Sequence, residues 1–363
     1  LLTSRFGRLP VTATRSLPRF ATVGQPLRYH LHLTNQGNRA QADLLIVDEL
    51  RDALPTPVSL GRFPTYRRWS RWSAWARGAN NLLHPLPILP LNAHTDTELS
   101  LTPLRRGWLE FAALRFARPE PLGLLRRLFR QPLPDRLLVL PRRYPVPPLH
   151  FHDGRRYQRG GVNLAQSVGE EDEFIGLRDY RPGDPPRRIH WRSFAKRGEP
   201  VVKEFQDEYF VRYGLLLDSF AAGVDEARFE AAVSAAASIA TAERSPEALL
   251  DLLFVGDRAY CFTAGRGLGQ TEQLLEILAC VTPRRDQSFA RWLGLVAGHA
   301  AELSACVCIL LDWDEQRRNL LNLLLGQGVA TVVLVIGPPS MPPEPGIRVA
   351  TVDTLALELA RLR

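Results

Sequence analysis

The sequence predicts two domains, a β-sandwich followed by an α/β domain with a mostly parallel sheet. Three observations carry this. Between residues 20 and 118, short stretches alternate apolar with polar residues and are separated by turn signals, the pattern of half-buried strands. From residue 210, continuous apolar runs of strand length alternate with helical segments, as in strands buried on both faces. Between them, residues 119–172 are rich in Pro and Gly and read as a connector and loop.

In the first domain, Leu27, Tyr29, Leu31 and Leu33 alternate with Arg28, His30 and His32, so one face of this strand is solvated. Residues 35–38 form a turn, and Ala42–Val47 begins the next strand. Thr95, Thr97, Leu99 and Leu101 share a face; residues 103–107 turn, and Leu109–Phe116 returns. Residues 119–148 hold eight prolines and are expected to be a stiff connector, with a short helical turn near 122–129. In the second domain, strands are expected at 211–217, 249–255, 258–262, 305–311, 329–336 and 347–352. Helices are expected at 226–243, 271–281, 289–301, 316–325 and 354–362.

Charge is unevenly distributed. Residues 1–150 carry a net +13 and residues 151–363 a net −5, within a total of +8. The arginines of the basic half are scattered through Pro- and Leu-rich sequence with no nucleic-acid-binding motif, so no nucleic-acid partner is expected. Anionic lipid headgroups fit better. Arg68, Trp69, Arg71, Trp72 and Trp75 interleave indoles with guanidinium groups, a composition suited to a membrane interface, a partner, or a loop whose tryptophans cover a sheet. No run of about 20 apolar residues is present. The chain starts at Leu1 and its one methionine is Met341, so a preceding segment is expected. Residues 1–19, with Arg5, Arg8, Arg15 and Arg19, would then be a basic juxtamembrane stretch on the cytoplasmic side. The four cysteines lie in or near apolar segments and are expected as buried thiols in a reducing compartment.

The densest motif is EDEFIGLRDYRPGDPPRRIHWRSFAKRG, residues 171–198. Glu173, Arg178, Asp179, Tyr180, Arg181, Asp184, Arg187, Arg188, His190 and Trp191 sit among turn-forming Gly183, Pro182, Pro185 and Pro186. So many charges beside aromatics imply a hydrogen-bonded network or a partner-docking face. Alternation at 188–192 is compatible with a short strand, and Asp184 with Arg187 could pair within one turn. His190 with Asp179 or Asp184 offers a base and an orienting acid, and Ser193 is the nearby hydroxyl. No catalytic context surrounds that serine, and no phosphate-binding glycine loop occurs in the chain.

This block resembles the signature of the bacterial family called domain of unknown function 58, GEFxxLRxYxxGDxxRxIxWxxSAR. Glu173, Phe174, Leu177, Arg178, Tyr180, Gly183, Asp184, Arg187, Ile189, Trp191 and Ala195 match it, whereas Phe194 and Lys196 stand where Ser and Arg are usual. The stretches GQPLRYHLHLTNQGNR, LTPLRRGWLEF and RPEPLGLLRR resemble the family's immunoglobulin-like β-sandwich. The resemblance implies two transmembrane helices ahead of the soluble portion, a cytoplasmic-membrane location, and a von Willebrand factor A-like (Rossmann-type) domain over 210–363, with the signature block at 173–209. It further implies a MoxR-type AAA+ ATPase partner and a role in assembling complexes or maturing metal centres.

A von Willebrand A-type domain normally offers Asp-x-Ser-x-Ser to a divalent cation. Here the segment is Asp218, Ser219, Phe220, Ala221, Ala222, so both usual hydroxyl positions lack an oxygen. Asp218, Ser219 and Asp312 are therefore expected as remnants of a degenerate site, with no metal and no cofactor. The expectation is a noncatalytic, membrane-tethered interaction module. The alternatives are an architectural envelope component, or a hydrolase centred on His190.

Overall fold

A computed structural model describes residues 9–51, 78–81, 83–119, 126–148, 158–159, 173–184, 186–206, 209–242, 248–256, 258–265, 268–284 and 289–362. The chain divides into two compact units, Leu1–Arg143 with Leu275–Val281, and Tyr144–Leu274 with Thr282–Arg363.

The first unit contains β1 (Val11–Ser16), β2 (Phe20–Thr22), β3 (Leu27–Asn35), β4 (Leu45–Leu50), β5 (Ala79–Asn81), β6 (His84–Pro85), β7 (His94–Pro103), β8 (Gly107–Pro119) and β9 (Arg126–Leu140). They form a four-stranded sheet, β1-β3-β7-β5, and a five-stranded sheet, β2-β9-β8-β4-β6. Alternation on β3 works as expected. Leu27, Tyr29, Leu31 and Leu33 are buried, and Arg28, His30 and His32 are exposed. The inward residues share one core with Ile46, Leu114, Phe116 and Val139 of the other sheet, which makes the unit a β-sandwich. On the solvated face, His32 meets Asp96 at 2.6 Å across the β3–β7 pair.

Two expectations are corrected here. The Pro-rich stretch is not a connector throughout. Residues 126–140 form β9, antiparallel to β8, and no helical turn is present at 126–129. The prolines are tolerated for a local reason. Pro132 and Pro134 lie at a register shift opposite Phe111 and Ala113, and β2 pairs only with 138–140, so this part of β9 is an edge among the described residues. Nor are residues 11–16 a juxtamembrane tail. They are β1, paired along its length with β3, and Arg15 points into the sandwich.

The second unit contains β10 (Gln158–Arg159), β11 (Glu173–Asp179), α1 (Trp191–Arg197), β12 (Val201–Gln206), β13 (Tyr209–Leu217), α2 (Glu226–Ala240), β14 (Ala248–Val255), β15 (Ala259–Ala264), the start of α3 (Leu268–Cys280, whose residues from Leu275 belong to the first unit), α4 (Phe289–Ala300), β16 (Ala305–Leu310), α5 (Glu315–Gly326), β17 (Ala330–Ile336), β18 (Ile347–Ala350) and α6 (Leu355–Ala360). A seven-stranded sheet runs β15-β14-β13-β16-β17-β18, with β10 beside β13. The pairs from β14 to β18 are parallel, and β15 is an antiparallel edge. Every residue of β14 and of β16 is buried, as the unbroken apolar run of β16 requires; the apolar run of β14 is interrupted by Asp251, which pairs with Arg212. Asp225 caps α2 by accepting from the Arg228 amide, and the Ala-rich body of α2 is buried. Leu216, Leu253, Cys306, Cys308 and Val333 face Trp292 and Val296 of α4 and Leu320 and Leu324 of α5 in one core. The chain leaves β13 for β14 on one side and later returns to β16 on the other. The carboxyl ends of β13 and β16 therefore flank a topological switch point, the usual place for a site in such sheets.

The cysteines depart from expectation. Cys306 and Cys308 are buried, but Cys261 is half-buried and Cys280 exposed. Among the described residues, no helix is long and apolar enough to cross a membrane.

Candidate functional site

The signature block builds an arm outside the main sheet. β11 pairs antiparallel with β12, from Glu173 opposite Gln206 to Asp179 opposite Val201. The chain then closes on itself. Arg178 forks onto Asp184, Nη1 to Oδ2 at 2.8 Å and Nη2 to Oδ1 at 2.7 Å. Asp184 also accepts from the Arg181 amide at 2.8 Å, so the Pro182–Gly183 turn is tied at both ends. These bonds, led by Arg178, hold the Asp184 pKa down at about 2. The Tyr180 amide donates to Pro200 O at 3.0 Å. Arg187 and Arg188 lie in a 3-10 turn, Pro186–Arg188, and Ile189 bridges to Val202.

The polypeptide next becomes α1, not the short strand that alternation at 188–192 suggested. Gly198 ends it in the left-handed conformation (φ 76°), donating its amide to Phe194 O, a C-cap geometry that suits glycine. The Arg187–Asp184 pair suggested by spacing does not form. Asp184 is engaged by Arg178 instead, because antiparallel pairing brings the end of β11 beside the turn. His190 Nδ1 lies 2.6 Å from Ser193 Oγ, one helical turn away. Neither Asp179 nor Asp184 orients that imidazole, so the pair has no acid behind it among its described contacts. Trp191 and Phe194 stack edge-to-face at 6.1 Å on the outer side of α1, and Trp191 is 61% exposed. Phe194, one of the two departures from the signature, makes half of this aromatic pair. Arg68, Trp69, Arg71, Trp72 and Trp75 lie outside the described residues.

At the switch point, Asp218 is buried just beyond β13. Its Oδ1 accepts from the Phe220 amide at 2.9 Å, and its Oδ2 accepts from the Leu311 amide at 3.1 Å and Arg317 Nε at 2.7 Å. Arg317, on the first turn of α5, also pairs with the N-cap Asp314. Burial opposes the Arg317 charge, but the Asp218 and Asp314 carboxylates overcome this and raise its pKa. Ser219 turns away, donating to Val255 O at 2.6 Å. Phe220 packs in the core against Phe289 and Trp292. Asp312 accepts from the Trp313 and Ser340 amides, both at 2.7 Å, and from Ser340 Oγ at 2.6 Å. Burial would raise the Asp312 pKa, and the Ser340 bonds reverse that and lower it. These carboxylates do not fit a hard divalent ion. Among the described residues, no group of three or more His, Cys, Asp or Glu is placed to hold one.

Sequence reasoning missed Arg317 and Ser340. Arg317 lies 99 residues from Asp218, and its only local signal is the helix-starting Asp314, Glu315 pair.

Over 186 residues the chain is 27% identical to the uncharacterized protein YeaD of Bacillus subtilis strain 168, covering 50% of this chain and 44% of that protein. The chain thus spans under half the length of that curated relative. Among solved structures, the CARDB domain of PF1109 from Pyrococcus furiosus aligns with 36% of this chain and 94% of its own, at 12% identity and a TM-score of 0.21. Proximal thread matrix protein 1 from the mussel byssus aligns with 42% of this chain and 44% of its own, at 11% identity and a TM-score of 0.33. Residues 176–312 match the model of the family described as Protein of unknown function DUF58.

Proposed function

We propose that this protein is a noncatalytic interaction module whose 173–206 arm docks a protein partner. The observation that carries the reading is the division of labour within the arm. Asp184 and Arg178 are engaged with each other, whereas Trp191 and Phe194 stand exposed together. Exposed aromatics of this kind serve as interface anchors. Residues 186–197 carry Arg187, Arg188, Arg192, Lys196 and Arg197 with no acid, inside a half of the chain whose net charge is −5. A partner surface with carboxylates around an apolar side chain is complementary to this.

The family resemblance names a MoxR-type AAA+ ATPase as the candidate partner and the cytoplasmic face of a bacterial membrane as the place. In the same reading, the second unit is a von Willebrand factor A-like domain. Its parallel order, the aspartate after β13 and the acid after β16 support this. The test is affinity capture from bacterial membranes, with and without ATP, by the wild type and by W191A/F194A. Nucleotide-dependent retention of an ATPase, lost in the double variant, is the expected result. Equal capture by both would refute the arm as the docking face. Capture of envelope components alone, indifferent to ATP, would favour an architectural role.

A further inference from the structure

We infer that Arg317 is the resident cation of the strand-end site, a side chain fixed where an A-type domain would hold a metal ion. The inference rests on reading the second unit as A-like, and departs from that fold's metal dependence.

Three observations converge on it. First, the Asp218 carboxylate is fully engaged. Two backbone amides and Arg317 Nε occupy it, and the Arg317 side chain is only 7% exposed. Second, the oxygens a metal would need are gone or turned away. Phe220 fills the core, Ala222 has no oxygen, Ser219 faces Val255 O, and Asp312 is occupied by Ser340. A small divalent ion needs about six oxygens in near-ideal geometry. Third, a buried cation already faces the carboxylates. Arg317 lies between Asp218 and Asp314 and stacks 5.3 Å over the Phe289 ring.

The neighbouring strand ends follow the same rule. Arg228 of α2 donates to Leu311 O at 2.6 Å and Ile336 O at 2.9 Å, just beyond β16 and at the end of β17. Its approach needs a glycine. Gly337 has φ 94°, and a Cβ there would lie 2.2 Å from Arg228 Nε. Two guanidinium groups thus supply from within the positive charge at the carboxyl edge of β13, β16 and β17. A partner reaching this edge would not be bridged through a metal ion, which leaves recognition to other surfaces.

Thermal melting with Mg²⁺ tests this without any partner, so failure to capture a partner leaves it untouched. The wild type should melt at the same temperature in EDTA and in 10 mM Mg²⁺, a probe concentration on the order of ten times a millimolar Kd. R317A should melt about 10 °C lower, because it leaves buried carboxylates without their cation. Mg²⁺ should leave the R317A midpoint in place, as should Na⁺ at equal ionic strength, because the oxygens a divalent ion needs are still missing. A wild type stabilised by Mg²⁺ would overturn the inference and keep the A-like reading. An R317A variant that melts with the wild type would show that the Asp218 carboxylate needs no cation there, and would also overturn it. If R317A does not fold, D218N/R317M removes both charges. Recovery of a cooperative, Mg²⁺-indifferent melt is expected, and no recovery would sink the idea.

Discussion

Arg15 places its guanidinium inside the sandwich, with no side-chain exposure, between Asp48 and Asp135, at 2.8 Å from the latter and 4.4 Å over the Phe111 ring. Tyr29 donates its hydroxyl to the same Asp48. Burial pushes the Asp48 pKa up against the pull of Arg15. Removing Arg15 would strand a buried carboxyl, so Arg15→Met should destabilise the sandwich by roughly 3–5 kcal/mol in urea unfolding. The sign of its pH dependence follows. With a raised pKa, the folded state holds the Asp48 proton more tightly than the unfolded chain. The variant should therefore lose stability as pH rises above the ordinary value of 3.8. A variant equally stable at pH 4 and 7, on the order of three units apart, would contradict this account. Asp184 behaves oppositely. Its pKa of about 2 means the clamp is present above 3.8 and lost as pH falls through about 2. Asp184→Asn should reproduce that loss at neutral pH, seen as faster hydrogen exchange at the Arg181 amide, whose acceptor is Asp184. Unchanged exchange would mean that the turn is held by Gly183 and the prolines instead.

At the scale of elements, α1 is short, exposed and capped by glycine, so its aromatics add little to folding. Trp191→Ala with Phe194→Ala should change stability by less than about 0.5 kcal/mol while abolishing capture. A large fall in stability would show that the pair belongs to the fold. What the sequence revealed depended on how a segment earns its conformation. β16 was legible because a strand buried on both faces is continuously apolar, and β14 because a single Asp251 interrupts an otherwise apolar run. β3 was legible because one of its faces is wet. β9 was hidden because prolines usually end strands, and only its edge position and the bulge opposite Phe111 admit them. The helix at Trp191 was hidden by an alternation that arises from a 3-10 turn joined to a helix. In the candidate site, the motif residues were visible, but their pairing was not. Arg178 meets Asp184 through the hairpin's register, and Arg317 meets Asp218 through the order of strands in the sheet. Neither contact leaves a local periodicity.

At the scale of the whole molecule, each unit closes its own core. The sandwich core is drawn from Val11 to Val139, and the core beneath α4 and α5 from Leu216 to Val335. Charge follows a similar division, with the basic excess in the first 150 residues and the acidic excess after them. Cores that share no residue can melt separately, so calorimetry should resolve two transitions. Leu31→Ala and Leu324→Ala are matched probes, since both side chains are fully buried and each lies in one core. Each should cost about 2–5 kcal/mol through the cavity left behind. Leu31→Ala should lower one transition and leave the other in place, and Leu324→Ala should do the reverse. The R317A transition should then coincide with the one that Leu324→Ala moves, because Arg317 and Leu324 lie on the same helix. If either leucine substitution moves both transitions together, the two units fold as one. The loss of Arg317 would then be felt by the sandwich as much as by the sheet it serves.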